Sequence, residues 1–334
     1  MDTPHPEQLT QMITGYWTSQ AIYAAAKLEI ADMLKDGPRC VDDLATSTST
    51  HTDALYRLLR ALASVGIFAE SKQRTFSLTP LAERLRSDVP GSQRALALMN
   101  GEDMYRAWGE VLYSVQTGKR AFDKVFGEPI FDFLSQHPAK AQIFDEAMTG
   151  IHGREAAVVL DAYDFTGINT LADIGGGNGS NISAILQKHP SMKGILYDLP
   201  HVIERAKQHV EAAGVLSRCQ LRDGDFFKSV PAGANAYLLR HIIHDWDDDK
   251  SLAILRNCHT VMPQGGKLLV IESVIPPGNE PFAGKLLDLA MLLVPGGKER
   301  TAEEYKVLYE AAGFQFTKIV PTSMEVSVVE GVKC

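Results

Sequence analysis

Cysteine is scarce and poorly spaced for joint chemistry. The four residues Cys40, Cys219, Cys258 and Cys334 include no CxxC pair, so neither a zinc knuckle nor a thioredoxin-like motif can be assembled from them. Basic charge is in deficit: 33 Lys and Arg stand against 41 Asp and Glu, a net charge of −8. That balance removes the electrostatic drive of a general nucleic-acid binder. No apolar run approaches the roughly 20 residues that a membrane-spanning helix needs. The opening segment Met1–Gln8 has neither the basic nor the apolar stretch of a secretory leader. Free thiols, a cytoplasmic location and no membrane partner are therefore expected. No internal repeat or low-complexity tract is visible. What remains is an ordinary globular composition, 45% apolar and 22% charged over 334 residues, a length that suits about two domains.

Residues 1–90 read as helices followed by a small hairpin. Trp17, Ala21, Ala24, Leu28, Ala31 and Leu34 recur at helical spacing and predict one apolar face, stopped by Gly37-Pro38. A short helix is expected at Asp42–Ala45. Thr52 is a candidate cap for a third, in which Leu55, Leu58, Leu59 and Leu62 share a side before Gly66. Ile67–Ala69 and Phe76–Leu78 flank a polar turn and predict a hairpin. This is the order of a winged helix, usually a DNA reader. Yet residues 1–90 hold nine Lys and Arg against eleven Asp and Glu, and the third helix offers only Arg57 and Arg60. Packing or dimerisation suits it better than DNA binding. Residues 91–165 are helical and dense in Met and aromatics, among them Met99, Trp108, Phe144 and Met148, enough for an aromatic-lined pocket beside the core. From 166 onward the pattern alternates. Apolar runs at Thr170–Ile174, Gly194–Tyr197, Ala236–Leu239 and Lys267–Ile271 read as buried parallel strands. Helices at Ser180–Lys188, Val202–Ala213 and Lys250–Val261 separate them. Such alternation predicts a doubly wound α/β sheet with its ligand at the carboxyl ends of the strands.

The glycine loop Asp173-Ile174-Gly175-Gly176-Gly177-Asn178-Gly179 lies between a strand and a helix. Its spacing is GxGxG rather than the GxGxxG of a dinucleotide site, and Asp173 adds negative charge that suits a cation better than a pyrophosphate. Asp198, at the next strand end, can accept both hydroxyls of an adenosine ribose. Asp225, followed by Phe226, can bind an adenine amino group while the ring packs on the base. These groups admit S-adenosylmethionine, a nicotinamide cofactor or a plain tight turn. His244 falls at the carboxyl end of the fourth parallel strand, where a base working near neutrality is wanted. A metal on His241, His244 and Asp245 is disfavoured because i and i+3 on a strand face opposite ways. Asp247–Asp249 read as the charged start of the next helix. Glu272, at a strand end, and Glu299, in the loop Pro295–Thr301, are carboxylates that can fix an imidazole tautomer, although spacing alone makes Glu299 an exposed loop acid.

Together, Asp173–Gly179, Tyr197–Pro200, Gly224–Phe227, His244–Trp246 and Pro295–Thr301 resemble the S-adenosylmethionine-dependent small-molecule O-methyltransferases of the caffeic acid/hydroxyneurosporene type. The resemblance covers most of the chain and implies a Rossmann-like methyltransferase sheet with an N-terminal, mostly helical winged-helix dimerisation domain. The expected boundaries are 1–95 for dimerisation, 96–165 for a helical region contributing to the acceptor pocket, and 166–334 for the cofactor domain. His244 is implied as general base with Glu272 and Glu299 flanking its ring. Gly175, Gly177, Asp198, Asp225 and Phe226 are implied as cofactor contacts, with Asp173, Leu199 and Arg240 beside them. Arg240 departs from the family's usual lysine, keeping the charge and changing the geometry. Met99, Asn100, Phe144, Met148 and Trp246 resemble acceptor-pocket positions, and Trp108, Asp245 and Met291 are grouped with them. Val294 stands where plant members often carry an asparagine, so acceptor identity does not transfer. The expected activity is methyl transfer from S-adenosylmethionine, leaving S-adenosylhomocysteine, to a small aromatic hydroxyl in a homodimer without metal. The alternatives are a nicotinamide-dependent oxidoreductase and a non-catalytic, S-adenosylmethionine-sensing winged-helix regulator.

Overall fold

The computed structural model describes residues 6–153 and 155–334; residues 1–5 of the opening segment Met1–Gln8 lie outside them. The chain divides into two compact units. One takes the residues up to Arg106 together with Leu134–His152, and the other Ala107–Phe133 together with Gly153–Cys334. Among the described residues no helix is long and apolar enough to cross a membrane.

In the first unit the apolar face expected from Trp17 to Leu34 is broken. Glu29 takes a left-handed φ of 57°, which closes the helix Gly15–Lys27 and starts a short turn at Ile30–Met33. The break lets Ile30, Ala31 and Leu34 enter the core, while Trp17 stays 63% exposed. Val41–Thr48 and Thr52–Ser64 follow. The cap of the latter is His51 rather than Thr52: its Nδ1 accepts the Ala54 N–H at 3.3 Å, and Thr52 is already the first helical residue. Leu55, Leu59 and Leu62 are buried against Leu34, Val41 and Leu44. β1 (Arg39–Cys40), β2 (Phe68–Ser71) and β3 (Thr75–Leu78) form an antiparallel sheet in the order β1-β3-β2. The expected hairpin is thus extended by one short strand. The helices Arg94–Met99 and Pro138–His152 also pack together in this unit.

The second unit is built on a larger sheet. Among the described residues it contains β4 (Thr170–Ile174), β5 (Lys193–Asp198), β6 (Cys219–Asp223), β7 (Ala236–Arg240), β8 (Lys267–Ile275), β9 (Arg300–Thr301), β10 (Phe314–Pro321) and β11 (Val326–Lys333). Their order is β10-β11-β8-β7-β4-β5-β6, with β9 beside β8. β4 to β8 are parallel, and β11 and β10 add an antiparallel edge. Successive strand residues alternate between two layers. Leu238 packs with the helices Ser180–Lys188 and Pro200–Ala212, whereas Tyr237 and Leu239 pack with Asp248–Val261 and Ala302–Ala311. The chain runs outward from β4 to β6 and then returns to β7 on the other side of β4. That reversal leaves a crevice at the carboxyl ends of β4 and β7. β8 continues four residues beyond Ile271, so Glu272 lies inside a strand and not at its end.

Candidate active site

The loop after β4 is held by its neighbours. The Gly175 N–H donates to the Tyr197 carbonyl at 2.8 Å. Gly177 has φ 58°, and a Cβ placed there would meet nothing within 4 Å, so the loop turns sharply and faces open space. Asp198, ending β5, accepts the Gly177 N–H at 2.9 Å on one oxygen and the Leu199 N–H at 2.7 Å on the other. Asp173 lies beneath the loop, buried, with its carboxylate against Gly176. Burial pushes its pKa up to about 6, with Arg240 opposing. After β6, Asp225 accepts the Phe227 N–H at 2.9 Å and faces Lys228 at 3.3 Å. A cavity of about 780 Å³ along β5 and β6 brings Leu199 and Asp225 together. Arg240 ends β7, with Nη1 3.5 Å from Glu155.

The chain leaves β7 through His241, which has a left-handed φ of 54°, and enters a 3₁₀ turn at Ile243–Asp245. His244 is therefore on a tight turn and not on a strand. The opposite-face argument for His241 and His244 falls with it, as their rings lie 5.1 Å apart. Asp247 caps the helix Asp248–Val261 through the Lys250 N–H at 2.8 Å, as expected.

His244 is buried, and its Nδ1 lies 2.6 Å from Glu299 Oε1. Its Nε2 faces the Asp245 carboxylate at 3.7 Å. Glu272 is fully buried, but it makes no hydrogen bond to the imidazole. Its Oε1 accepts the N–H groups of Ile242, Ile243 and His244 at 3.1, 2.7 and 3.1 Å, and its Oε2 accepts the Tyr305 hydroxyl. Burial by itself would lower the His244 pKa; the facing Asp245, Glu299 and Glu272 outweigh it and raise the pKa well above the ordinary value. Burial also raises Asp245 to about 7 and raises Glu299, with His244 opposing in both cases. An imidazole with one nitrogen fixed by a carboxylate and the other open to a neighbour is suited to take up a proton.

The loop Pro295–Glu299 lies directly on this turn. At Gly297 a Cβ would come within 2.0 Å of the His244 carbonyl oxygen and 2.4 Å of Asp245 and Trp246 backbone atoms. Only a residue without a side chain permits that approach. The Glu299 N–H donates to Asp288 at 2.9 Å, and Arg300 is completely buried. Tyr305, Asp288 and Arg300 were not among the residues singled out from sequence. Arg300 was within reach as the residue after Glu299, whereas nothing local marks Tyr305 or Asp288.

Of the acceptor-pocket candidates, Trp246 is half-buried among Phe131, Phe226 and Phe227, at ring distances of 5.6, 6.3 and 4.8 Å. Asp245 is its neighbour, and Met291 sits near the end of the helix Gly284–Leu293, where its carbonyl accepts the Gly296 N–H at 2.8 Å. Trp108 is half-buried in the same unit. Met99, Asn100, Phe144 and Met148 belong to the other unit. There, Asn100 is exposed and bonded to Leu96, and the other three are half-buried.

Residues 108–315 match the family model for an O-methyltransferase domain, and residues 10–88 match an O-methyltransferase dimerisation domain. A phenazine O-methyltransferase from Lysobacter antibioticus is 48% identical over 322 residues, 96% of this chain and 94% of its own length. A crystal structure of LaPhzM superposes with a TM-score of 0.96 at 47% identity, covering 99% of this chain and 100% of that one. An O-methyltransferase from neocarzinostatin biosynthesis, crystallised with S-adenosylhomocysteine and 1,4-dihydroxy-2-naphthoic acid, superposes with a TM-score of 0.84. It is 34% identical and covers 95% of this chain and 96% of that one.

Proposed function

This chain belongs to the S-adenosylmethionine-dependent O-methyltransferases that carry a dimerisation domain, and from that premise we propose that it methylates a hydroxyl of a small fused-ring aromatic with His244 as general base. Nothing in the family match supports the nicotinamide or the non-catalytic reading. A hydroxylated phenazine is the first acceptor to test, because a relative at 48% identity carries that name.

The residues of the glycine loop fit the cofactor. Asp198 ends β5 beside the glycine loop, where a carboxylate suits the hydroxyls of an adenosine ribose. The space over Gly177 is open, and the acids Asp173, Asp198 and Asp225 suit a cation. Leu199 and Phe226 offer apolar surface for the adenine, and the charge of Arg240 offsets that of Asp173. S-adenosylmethionine supplies a methyl group already activated on a sulfonium.

What the protein adds is proton transfer and alignment. A phenolic hydroxyl has a pKa near ~10 and is mostly protonated at neutral pH. Nε2 of His244 takes that proton while Glu299 holds Nδ1 and keeps the tautomer. A carboxylate on Nδ1 stabilises the imidazolium that forms as Nε2 takes the proton, and a positioned base contributes about 10²–10⁴ in rate. Alignment of acceptor and methyl donor supplies the rest. Asp245 faces the same space as Nε2, and Trp246 offers a flat wall for an aromatic acceptor. The exposed face of Leu9, Met12, Ile13, Tyr16 and Trp17 is the surface we assign to pairing with a second copy, in line with the dimerisation domain.

The observation that carries the catalytic assignment is the 2.6 Å contact between His244 Nδ1 and Glu299 on a turn gripped by Glu272. The test is methyl incorporation from labelled cofactor into hydroxyphenazines and dihydroxynaphthoates, run beside the His244→Gln variant. The variant should bind cofactor normally by calorimetry and lose turnover by about 10²–10⁴. Full turnover in His244→Gln would remove the base assignment.

A further inference from the structure

The turn that carries His244 is gripped from two sides. Glu272, in β8, takes three of its N–H groups, those of Ile242, Ile243 and His244. Its carbonyls are taken by Arg300, in β9. Nη1 of Arg300 donates to the Ile243 carbonyl at 3.1 Å, and Nη2 donates to the Trp246 carbonyl at 3.0 Å. Nε and Nη2 also face Asp248 at 3.1 and 2.9 Å, Nη1 reaches the Lys298 carbonyl at 3.3 Å, and Ser251 Oγ lies 3.1 Å from Nη2, whose two hydrogens are shared among three acceptors. Every nitrogen of the guanidinium is engaged, and the side chain is 0% exposed.

A buried cation is costly to keep, and apolar packing would stabilise such a position as well or better. The fork geometry matters here because a lysine, with its single ammonium, cannot reach carbonyls on both sides of His244. β8 and β9 pair directly, Val274 opposite Arg300, so the sheet fixes the distance between the two grips. Glu299, which holds the imidazole, is bonded covalently to Arg300, which holds the backbone beneath that imidazole. Ring and carboxylate are thereby kept in register.

We propose that Arg300 is the positioning residue for His244, clamping the carbonyl side of its turn so that Nδ1 stays on Glu299 and Nε2 stays aimed at the acceptor. The proposal rests on the reading of His244 as the base. Its test is turnover per cofactor-binding site, counted by calorimetry so that unfolded protein does not enter, for Arg300→Met, Arg300→Lys, His244→Gln and the double variants. Arg300→Met should lower kcat by about 100-fold, the loss associated with a misplacement of roughly 1 Å. Cofactor Kd should stay within about twofold, since the loop after β4 is held by separate bonds. Arg300→Lys keeps the buried charge and serves if the methionine variant does not fold; a loss of about tenfold is expected from the missing fork. In the His244→Gln background either change should alter turnover by less than about twofold, because the residue through which Arg300 acts is gone. Two results overturn the proposal while leaving the base assignment standing: unchanged kcat in the Arg300 variants, or an equal further loss in the His244→Gln background. Full activity of His244→Gln overturns the base assignment, and the proposal with it.

Discussion

Replacing Gly297 with alanine should separate the acid–base pair without touching any ionisable group. The new Cβ would sit 2.0 Å from the His244 carbonyl oxygen and 2.4 Å from the Asp245 carbonyl carbon and the Trp246 nitrogen, all backbone atoms that cannot rotate aside. A carbon normally keeps about 3.3 Å from an oxygen, so loop and turn must part by roughly 1.3 Å. The His244–Glu299 contact, now 2.6 Å, would then lie beyond hydrogen-bonding reach. A displacement of that size costs about 10² in rate, and the overpacking itself about 1–3 kcal/mol of stability. The assay is steady-state kcat with labelled cofactor, alongside cofactor Kd and melting temperature. We expect kcat to fall by about 100-fold, a modest drop in melting temperature and an unchanged Kd. Wild-type kcat in Gly297→Ala would refute the claim that this loop sets the geometry of the base.

Three further outcomes are expected. Glu299→Gln removes one of the carboxylates that raise the His244 pKa, so the acid limb of kcat/KM against pH should move to lower pH as the maximum falls; an unmoved limb would separate Glu299 from the base. Asp173 retains a proton in the fold up to about pH 6 that an unfolded aspartate releases near 3.8. Stability should therefore fall as pH rises between those values, by about 3 kcal/mol, and Asp173→Asn should flatten that slope. Parallel melting-temperature curves for the two proteins would contradict it. Finally, Trp17→Asp combined with Met12→Asp places charge on the exposed face of the N-terminal helices. Sedimentation should show a monomer, and an undisturbed dimer would mean that pairing uses another surface.

The parts of the site nearest in sequence were the most legible. A strand, a glycine loop and a helix between Thr170 and Lys188 are a local pattern, and the helix Ser180–Lys188 has the bounds its periodicity predicts. Asp198 ends β5 as its position after an apolar run implies. Local rules fail where a residue meets a partner distant in the chain. Trp17 sits at the right helical spacing for the core, but the left-handed Glu29 turns the following residues inward without it. Glu272 looked like a strand-end acid beside the imidazole, yet β8 continues through it and its carboxylate is used on the backbone of a turn about thirty residues away. The edge strands β10 and β11 carry mixed polar and apolar residues, and no clear apolar run announced them.

By itself, the sequence determined the α/β alternation, the glycine loop and its acids, and the presence of a histidine and two glutamates near the strand ends. Those depend on residue type and on spacings within one or two turns. The tertiary structure alone decided which nitrogen of His244 faces Glu299, that Glu272 and Arg300 grip the two sides of its turn, and that Gly297 must lack a side chain. Each of those contacts joins residues about 28 to 57 positions apart. Such contacts exist only because β7, β8 and β9 are neighbours in the sheet, an adjacency set by packing of the whole unit and not by any stretch of the chain.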